Sequence, residues 1–323
     1  MKASLRIAIA TALLAVVSTC LADKWTFVVA GDGRSDSRSS RDSDHNGINV
    51  TITKEIADAV LREHAKFLAW TGDLVLGYSQ DPNAFESQLL DWRGIMKPLY
   101  DARIPVLPCR GNHDSGSKNA AAVWNKVFDG PFKLPQNGPD TEKNLTWFLE
   151  EGDVLFLGLD QYTAGQEQVD QKWVDKVLVE HKKPFVFAMG HEPAFMDGHH
   201  EDTMDSHPVM RDIFWESLIA AGSRAFFCGH DHLYDHMKVV RSGDKPGPEM
   251  HQFVAGTSGA PFYPIGPYSG QNTVWTLTRQ KNIVNTFGYL LVTIDGKKCT
   301  IEFKGRKSPG VYETMDSWSY AVG

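Results

Sequence analysis

The chain has little cysteine, no excess of positive charge and, past residue 22, no long apolar run. Of its four cysteines, Cys109, Cys228 and Cys299 lie beyond residue 22, too few for a disulfide framework. They read as small buried hydrophobes, with a Cys109–Cys228 bridge as the alternative if their strands are neighbours. Lys and Arg number 33 against 40 Asp and Glu, a formal net charge of −7, which argues against a nucleic-acid backbone as main partner. A small phosphorylated substrate stays compatible, because bound cations rather than net charge set the field of a site. No later stretch is apolar for long enough to span a bilayer, so no stable membrane span is expected once residues 1–22 are removed. There is no GxSxG nucleophile motif, no internal repeat and no linker.

What is present begins with residues 1–22, which read as a secretory signal. Lys2 and Arg6 form a positive start, residues 7–17 are apolar, and Cys20-Leu21-Ala22 offers a small-residue cleavage site. A secreted or periplasmic protein is therefore expected. A lipoprotein anchor at Cys20 is the lesser alternative, because Thr19 suits it poorly. Removal of this segment takes the net charge from −7 to −9. Residues 23–323 are expected to form one domain. Asn49-Val-Thr51 and Asn144-Leu-Thr146 match the glycosylation acceptor pattern.

Five short motifs follow apolar runs: GDGR (31–34), TGDLV (71–75), GNHD (111–114), GHEP (190–193) and GHDH (229–232). The runs WTFVVA, FLAW, IPVLP, PFVFAM and AFFC read as buried strands. Each motif thus sets an Asp, Asn or His at a strand end, and such O and N donors gathered at the strand ends of one sheet suit divalent metals. Helical spacing predicts helices over 51–63, 85–100, 120–128, 169–181 and 209–221. Further strands are expected at 146–149 and 154–159, and 237–240, 251–254, 288–294 and 299–303 read as strands of a closing sheet.

The ordered series Asp32, Asp73, Asn112-His113, His191 and His230-x-His232 resembles the calcineurin-like metallophosphoesterase superfamily, which includes the purple acid phosphatases. The likeness covers residues 25–236. It implies an α/β fold, a four-layer αββα sandwich of two mixed β-sheets, with a dinuclear site at strand ends. In the family pattern Asp73 bridges both metals. The first ion takes Asp32, Asp73 and His232, and the second takes Asp73, Asn112, His191 and His230. With no thiolate in the set, two divalent or trivalent ions of iron, manganese or zinc fit. The resemblance also implies that a metal-bridging hydroxide attacks phosphorus, that His113 protonates the leaving group, and that Asp114 orients His113.

The pattern departs at Arg34, where the family usually has histidine; a guanidinium cannot ligate a metal. Nor is this the purple acid phosphatase version, since Leu76 stands where the tyrosine ligand belongs and Tyr78 is two residues further on. The first metal looks one protein ligand short. Arg34 is read as a fork for the substrate phosphate, with a structural ion pair as the alternative. The missing ligand would be water, Asp44 or His45. The loop bearing His199, His200, Glu201, Asp202, Asp205 and His207 reads as solvated rather than as a second cluster. Tyr234, Asp235 and His236 are expected to support the GHDH ligands from behind, and His251, Phe262 and Tyr263 to line the pocket mouth. These residues predict a dinuclear-metal phosphohydrolase of small phosphate esters, phosphomonoesters foremost. A phosphodiesterase, a nucleotide pyrophosphatase and a non-catalytic binding scaffold are the alternatives.

Overall fold

Strands that are apolar on both faces need cover on both sides, and the central strands here are of that kind. The computed structural model describes residues 24–36, 44–243, 247–266 and 274–323. The signal-like segment and its Cys20 lie outside the described residues. In chain order the elements are β1 (Trp25–Ala30), β2 (Asp44–His45), β3 (Ile48–Asn49), α1 (Val50–Arg62), β4 (Leu68–Trp70), α2 (Pro82–Ile95), α3 (Lys97–Asp101), β5 (Val106–Pro108), α4 (Asn112–Ser115) and α5 (Ala120–Val127). Then come β6 (Trp147–Glu151), β7 (Val154–Gly158), α6 (Gln171–Glu180), β8 (Phe185–Met189), α7 (Pro208–Ala220), β9 (Ala225–Cys228), β10 (Tyr234–Arg241), β11 (Met250–Ala255), β12 (Trp275–Ile283), β13 (Gly288–Asp295), β14 (Lys298–Ser308) and β15 (Val311–Ala321).

A six-stranded sheet runs β15-β14-β13-β1-β4-β5 and a seven-stranded sheet runs β12-β10-β11-β9-β8-β7-β6. Both are mixed: β1, β4 and β5 are mutually parallel while β13 is antiparallel to β1. Side-chain alternation sorts the second sheet into two cores. Val154, Phe156, Phe185, Phe187, Ala225 and Phe227 face the first sheet. Leu155, Leu157, Val186, Ala188, Phe226 and Cys228 pack instead with Val174 and Val177 of α6 and Phe214 and Trp215 of α7. That is the expected α/β four-layer αββα sandwich. Between the sheets Phe27 stacks on Phe67 at 4.7 Å and meets Phe156 and Phe187 edge-on, each at 5.6 Å. Each ring contributes about 1.5–3 kcal/mol by burial, and such aromatic pairs add about 0.5–1.5 kcal/mol.

Some details correct the sequence reading. The strands expected to close one sheet divide between two: β10 and β11 join the second, and β13 and β14 join the first. The helix expected over 85–100 stops at Ile95, because Pro98 has no N–H to give and its ring opposes the carbonyl four residues back. Strands β12 and β15 carry polar residues at alternate, exposed positions, so no apolar run marked them. Cys109 follows a strand of the first sheet and Cys228 ends one of the second; both are buried free thiols. The acceptor asparagines are both buried. Asn49 caps α1 through Ile52 N, and Asn144 accepts from Leu134 N at 2.9 Å, so the folded chain presents neither at its surface.

Candidate metal centre

The five motifs sit at the carboxyl ends of parallel strands, where open α/β sheets hold their ligands. The donors come from two sheets rather than one. Strands β1, β4 and β5 deliver Asp32, Asp73 and Asn112-His113, while β8 and β9 deliver His191, His230 and His232. Asp32, Asp73 and His230 have φ of 61°, 51° and 71°, left-handed conformations that non-glycine residues seldom adopt. Backbone hydrogen bonds between the loops hold them: Asp32 N donates to Gly72 O at 3.0 Å and Gly33 N to Asp73 O at 2.9 Å. Two motif glycines answer to close approach. A Cβ on Gly111 would collide with the Asp73 carboxylate, and one on Gly229 with that of Asp32.

The hydrogen bonds fix which atoms face inward. His191 Nδ1 donates to Thr71 O at 2.8 Å, so its Nε2 carries a lone pair. Asn112 Nδ2 donates to Tyr78 Oη at 2.7 Å, which turns Asn112 Oδ1 toward His191 Nε2, 3.0 Å away. Two acceptors thus face each other. His230 Nδ1 lies 3.3 Å from the same His191 nitrogen, and Asp73 Oδ1 lies 3.4 Å from it. Buried acceptors crowded on one point are reconciled by a cation, and an amide oxygen, a carboxylate and two imidazoles suit iron, manganese or zinc. Among the described residues, ligating atoms within 4.8 Å of one another group as Asp32–Asp73–His191, His191–Glu192–His230 and His200–Asp202–His230.

Residues 43–234, more than half of the chain, match the model of the calcineurin-like phosphoesterases. The chain belongs to the calcineurin-like phosphoesterase family. It is 28% identical to mouse serine/threonine-protein phosphatase CPPED1 over 230 residues, 64% of this chain and 70% of that protein. It is 24% identical to human tartrate-resistant acid phosphatase type 5 over 214 residues, 60% of this chain but only 63% of that protein's length. The fold is shared with purple acid phosphatase PPD1 from yellow lupin at a TM-score of 0.63 and 16% identity, over 93% of this chain and 54% of that one. Family and relatives make this phosphoesterase a metal-dependent phosphoric ester hydrolase.

Several residues stand elsewhere than the sequence placed them. Asp114 does not hold the His113 ring. Its Oδ2 accepts from Gly111 N at 2.9 Å and Leu74 N at 3.3 Å, while the ring is held by Leu76 O, 2.5 Å from Nδ1. Burial, reinforced by the charge of Asp73, pushes the Asp114 carboxyl up to about 8. His45 is 74% exposed beside Asp91 and supplies no ligand; the side chain of Asp44 lies outside the described residues. Tyr234 and His236 turn away to Asp316, and His236 Nε2 reaches His251 at 2.8 Å. Asp235 bonds Asn282. Phe262 packs on Phe287, whereas Tyr263 does enter the site and stacks on His232 at 4.2 Å.

The polar loop is only partly solvated. His200 stacks on His230 at 3.9 Å, and Asp202 Oδ1 stands 3.3 Å from His230 Nε2. His207 and Asp205 leave the site for Glu167 and Arg211. Glu192, in the GHEP motif but given no role by the sequence, lies 3.2 Å from the same His230 nitrogen and accepts from Tyr162 Oη at 2.6 Å. Burial works against charge on His230, but Glu192 and Asp202 outweigh it and hold its pKa up to about 10. With no cation beside it the ring is therefore doubly protonated; the two carboxylates hold the Nε2 proton, and the Nδ1 proton is the one a bound cation would displace.

Tyr78 was the other omission, since it was weighed only as a metal ligand. Its hydroxyl fixes the Asn112 amide, and Tyr78→Phe frees that amide to turn. Because partners that orient a ligand are worth about 10–100-fold in metal affinity, a metal titration of Tyr78→Phe should show weakening in that range, with kcat close to wild type at saturating metal. Unchanged affinity would remove Tyr78 from the site.

Proposed function

We propose that this phosphoesterase hydrolyses small phosphate esters, phosphomonoesters above all, outside the cytoplasm. The observation that carries the reading is the facing of buried acceptors from two sheets at His191 Nε2, with Asn112 Oδ1 at 3.0 Å and Asp73 Oδ1 at 3.4 Å. The family resemblance implies a dinuclear centre, with Asp73, Asn112, His191 and His230 at one position and Asp32, Asp73 and His232 at the other. A bound cation supplies Lewis-acid polarisation of the phosphoryl oxygens and an acidified water. The chain's own residues do the rest. His113 Nδ1 donates to Leu76 O, so it is in the imidazolium form that Nε2 would give a proton to the departing oxygen. Its backbone N–H donates to Asp73 Oδ1 at 3.0 Å, so acid and metal ligand are set by one contact. The pattern of residues 1–22 supports an extracytoplasmic location. Among the described residues no helix is long and apolar enough to cross a membrane, and the acidic net charge favours a small phosphorylated partner over nucleic acid.

The test is hydrolysis of p-nitrophenyl phosphate and bis-p-nitrophenyl phosphate after reconstitution with manganese, zinc or iron. Metal-dependent turnover is expected, faster on the monoester. A faster diester would reassign the substrate class, and no turnover of either with any ion would favour a binding scaffold.

A further inference from the structure

The two predicted metal positions differ in what their acceptors already face. At the position of Asn112, His191 and His230, the acceptors Asn112 Oδ1 and Asp73 Oδ1 face the lone pair of His191 Nε2. At the position of Asp32, Asp73 and His232, the Asp73 carboxylate and the His232 ring face a cation that belongs to the chain. His232 Nδ1 donates to Pro261 O at 2.6 Å, so the lone pair is on Nε2. Arg34 Nη2 lies 3.4 Å from that nitrogen and donates to it. Arg34 Nε lies 3.3 Å from Asp73 Oδ2. Asp32 closes the ring, with Oδ1 3.6 Å from His232 Nε2.

The guanidinium is built in. Arg34 is 7% exposed. Its Nη1 donates to Ser35 O at 3.4 Å and its Nη2 to Tyr263 Oη at 3.2 Å, and Tyr263 is itself stacked on His232. A guanidinium stays charged at any working pH. An ion placed among Asp32, Asp73 and His232 would meet that charge at close range. Two unit charges about 4 Å apart already repel by roughly 1–4 kcal/mol at effective dielectrics of about 80 to 20, and a divalent ion doubles the effect. Among the described residues His232 falls in none of the ligand groupings, while Asp32 and Asp73 group with His191.

We infer that Arg34 takes the place of one of the two ions: this phosphoesterase holds a single metal ion, at Asp73, Asn112, His191 and His230, and supplies the second positive charge from its own chain. A substrate phosphate would then lie between an ion and the guanidinium charge, with one Nη1 N–H not already committed to the chain. The inference rests on the metal-dependent reading above and narrows it.

Metal stoichiometry tests it. The metal-stripped chain is titrated with Mn²⁺ by calorimetry, and the loaded protein is examined by elemental analysis and electron paramagnetic resonance. Wild type should take one ion per chain and give the spectrum of an isolated Mn²⁺. Arg34→His replaces the cation with a neutral nitrogen donor and should take two ions, with a spin-coupled spectrum. Arg34→Ala should admit a second, weaker ion, and Arg34→Lys, which keeps the charge, should stay at one. Circular dichroism checks that each variant is folded. Two ions in wild type would overturn the inference, as would a count of one in both Arg34→His and Arg34→Ala. One ion with no phosphoester turnover would leave the single-ion site standing and sink the proposed function. No ion in wild type would sink both.

Discussion

Asp73→Asn is expected to lower kcat/KM by about 10³-fold or more and to strip the protein of most of its metal affinity. The substitution keeps size and shape, so the loss comes from charge. Asp73 Oδ1 faces His191 Nε2 at 3.4 Å and accepts from His113 N, while Oδ2 faces Arg34 Nε at 3.3 Å. One carboxylate therefore serves the donor cluster, the GNHD turn and the guanidinium together. Burial alone would raise its pKa, but His191, His113 and Arg34 outweigh that and hold it far below the usual carboxylate range. An amide there cannot neutralise a cation, and about 4 kcal/mol of lost stabilisation is a factor of about 10³ in rate. The change should also weaken the metal-free fold, since a buried guanidinium left without its partner costs about 3–5 kcal/mol. Activity within about tenfold of wild type, with metal content retained, would show that Asp73 is not the shared ligand.

His113→Ala should leave metal content intact and lower kcat by about 10²–10⁴-fold, the span of a positioned general acid. The ring has only one nitrogen at liberty. Nδ1 is committed to Leu76 O, Tyr78 covers the ring at 4.5 Å between centroids, and Nε2 stands 3.9 Å from Asp73 Oδ2. A proton donor matters most when the leaving oxygen is basic. The loss should therefore be larger on an alkyl phosphate than on p-nitrophenyl phosphate, with KM little changed on either. An equal loss on both substrates, or a parallel loss of metal, would assign His113 to binding rather than to proton transfer.

The ligand motifs were legible because each is a run of adjacent residues at the end of an apolar strand, and adjacency survives folding. What could not be read was contact across the sandwich. His200 and Asp202 sit in a stretch whose composition is that of any solvated loop, and only the stacking of His200 on His230 reveals their role. Glu192 was visible in its motif but carried no signal separating it from a turn residue. The spacing of Tyr78 sets it aside as a ligand and carries no sign of its hydrogen bond with Asn112. Arg34 was legible as a departure, yet the partners that give it meaning, His232 and Tyr263, lie about two hundred residues away. The central strands were legible as apolar runs and the four-layer sandwich came with the family resemblance, while β12 and β15 escaped because half of each strand faces water.

Asp73 and Asn112 stand on one sheet, and His191 and His230 on the other. In the order of events during folding, these four donors cannot meet before the two sheets have docked through the phenylalanine layer between them. A nascent or half-folded chain offers scattered histidines and carboxylates, but no place where they converge. An ion that needs all four donors can therefore be held only once the sandwich has closed. Such an ion would be drawn from what is available where the sandwich closes.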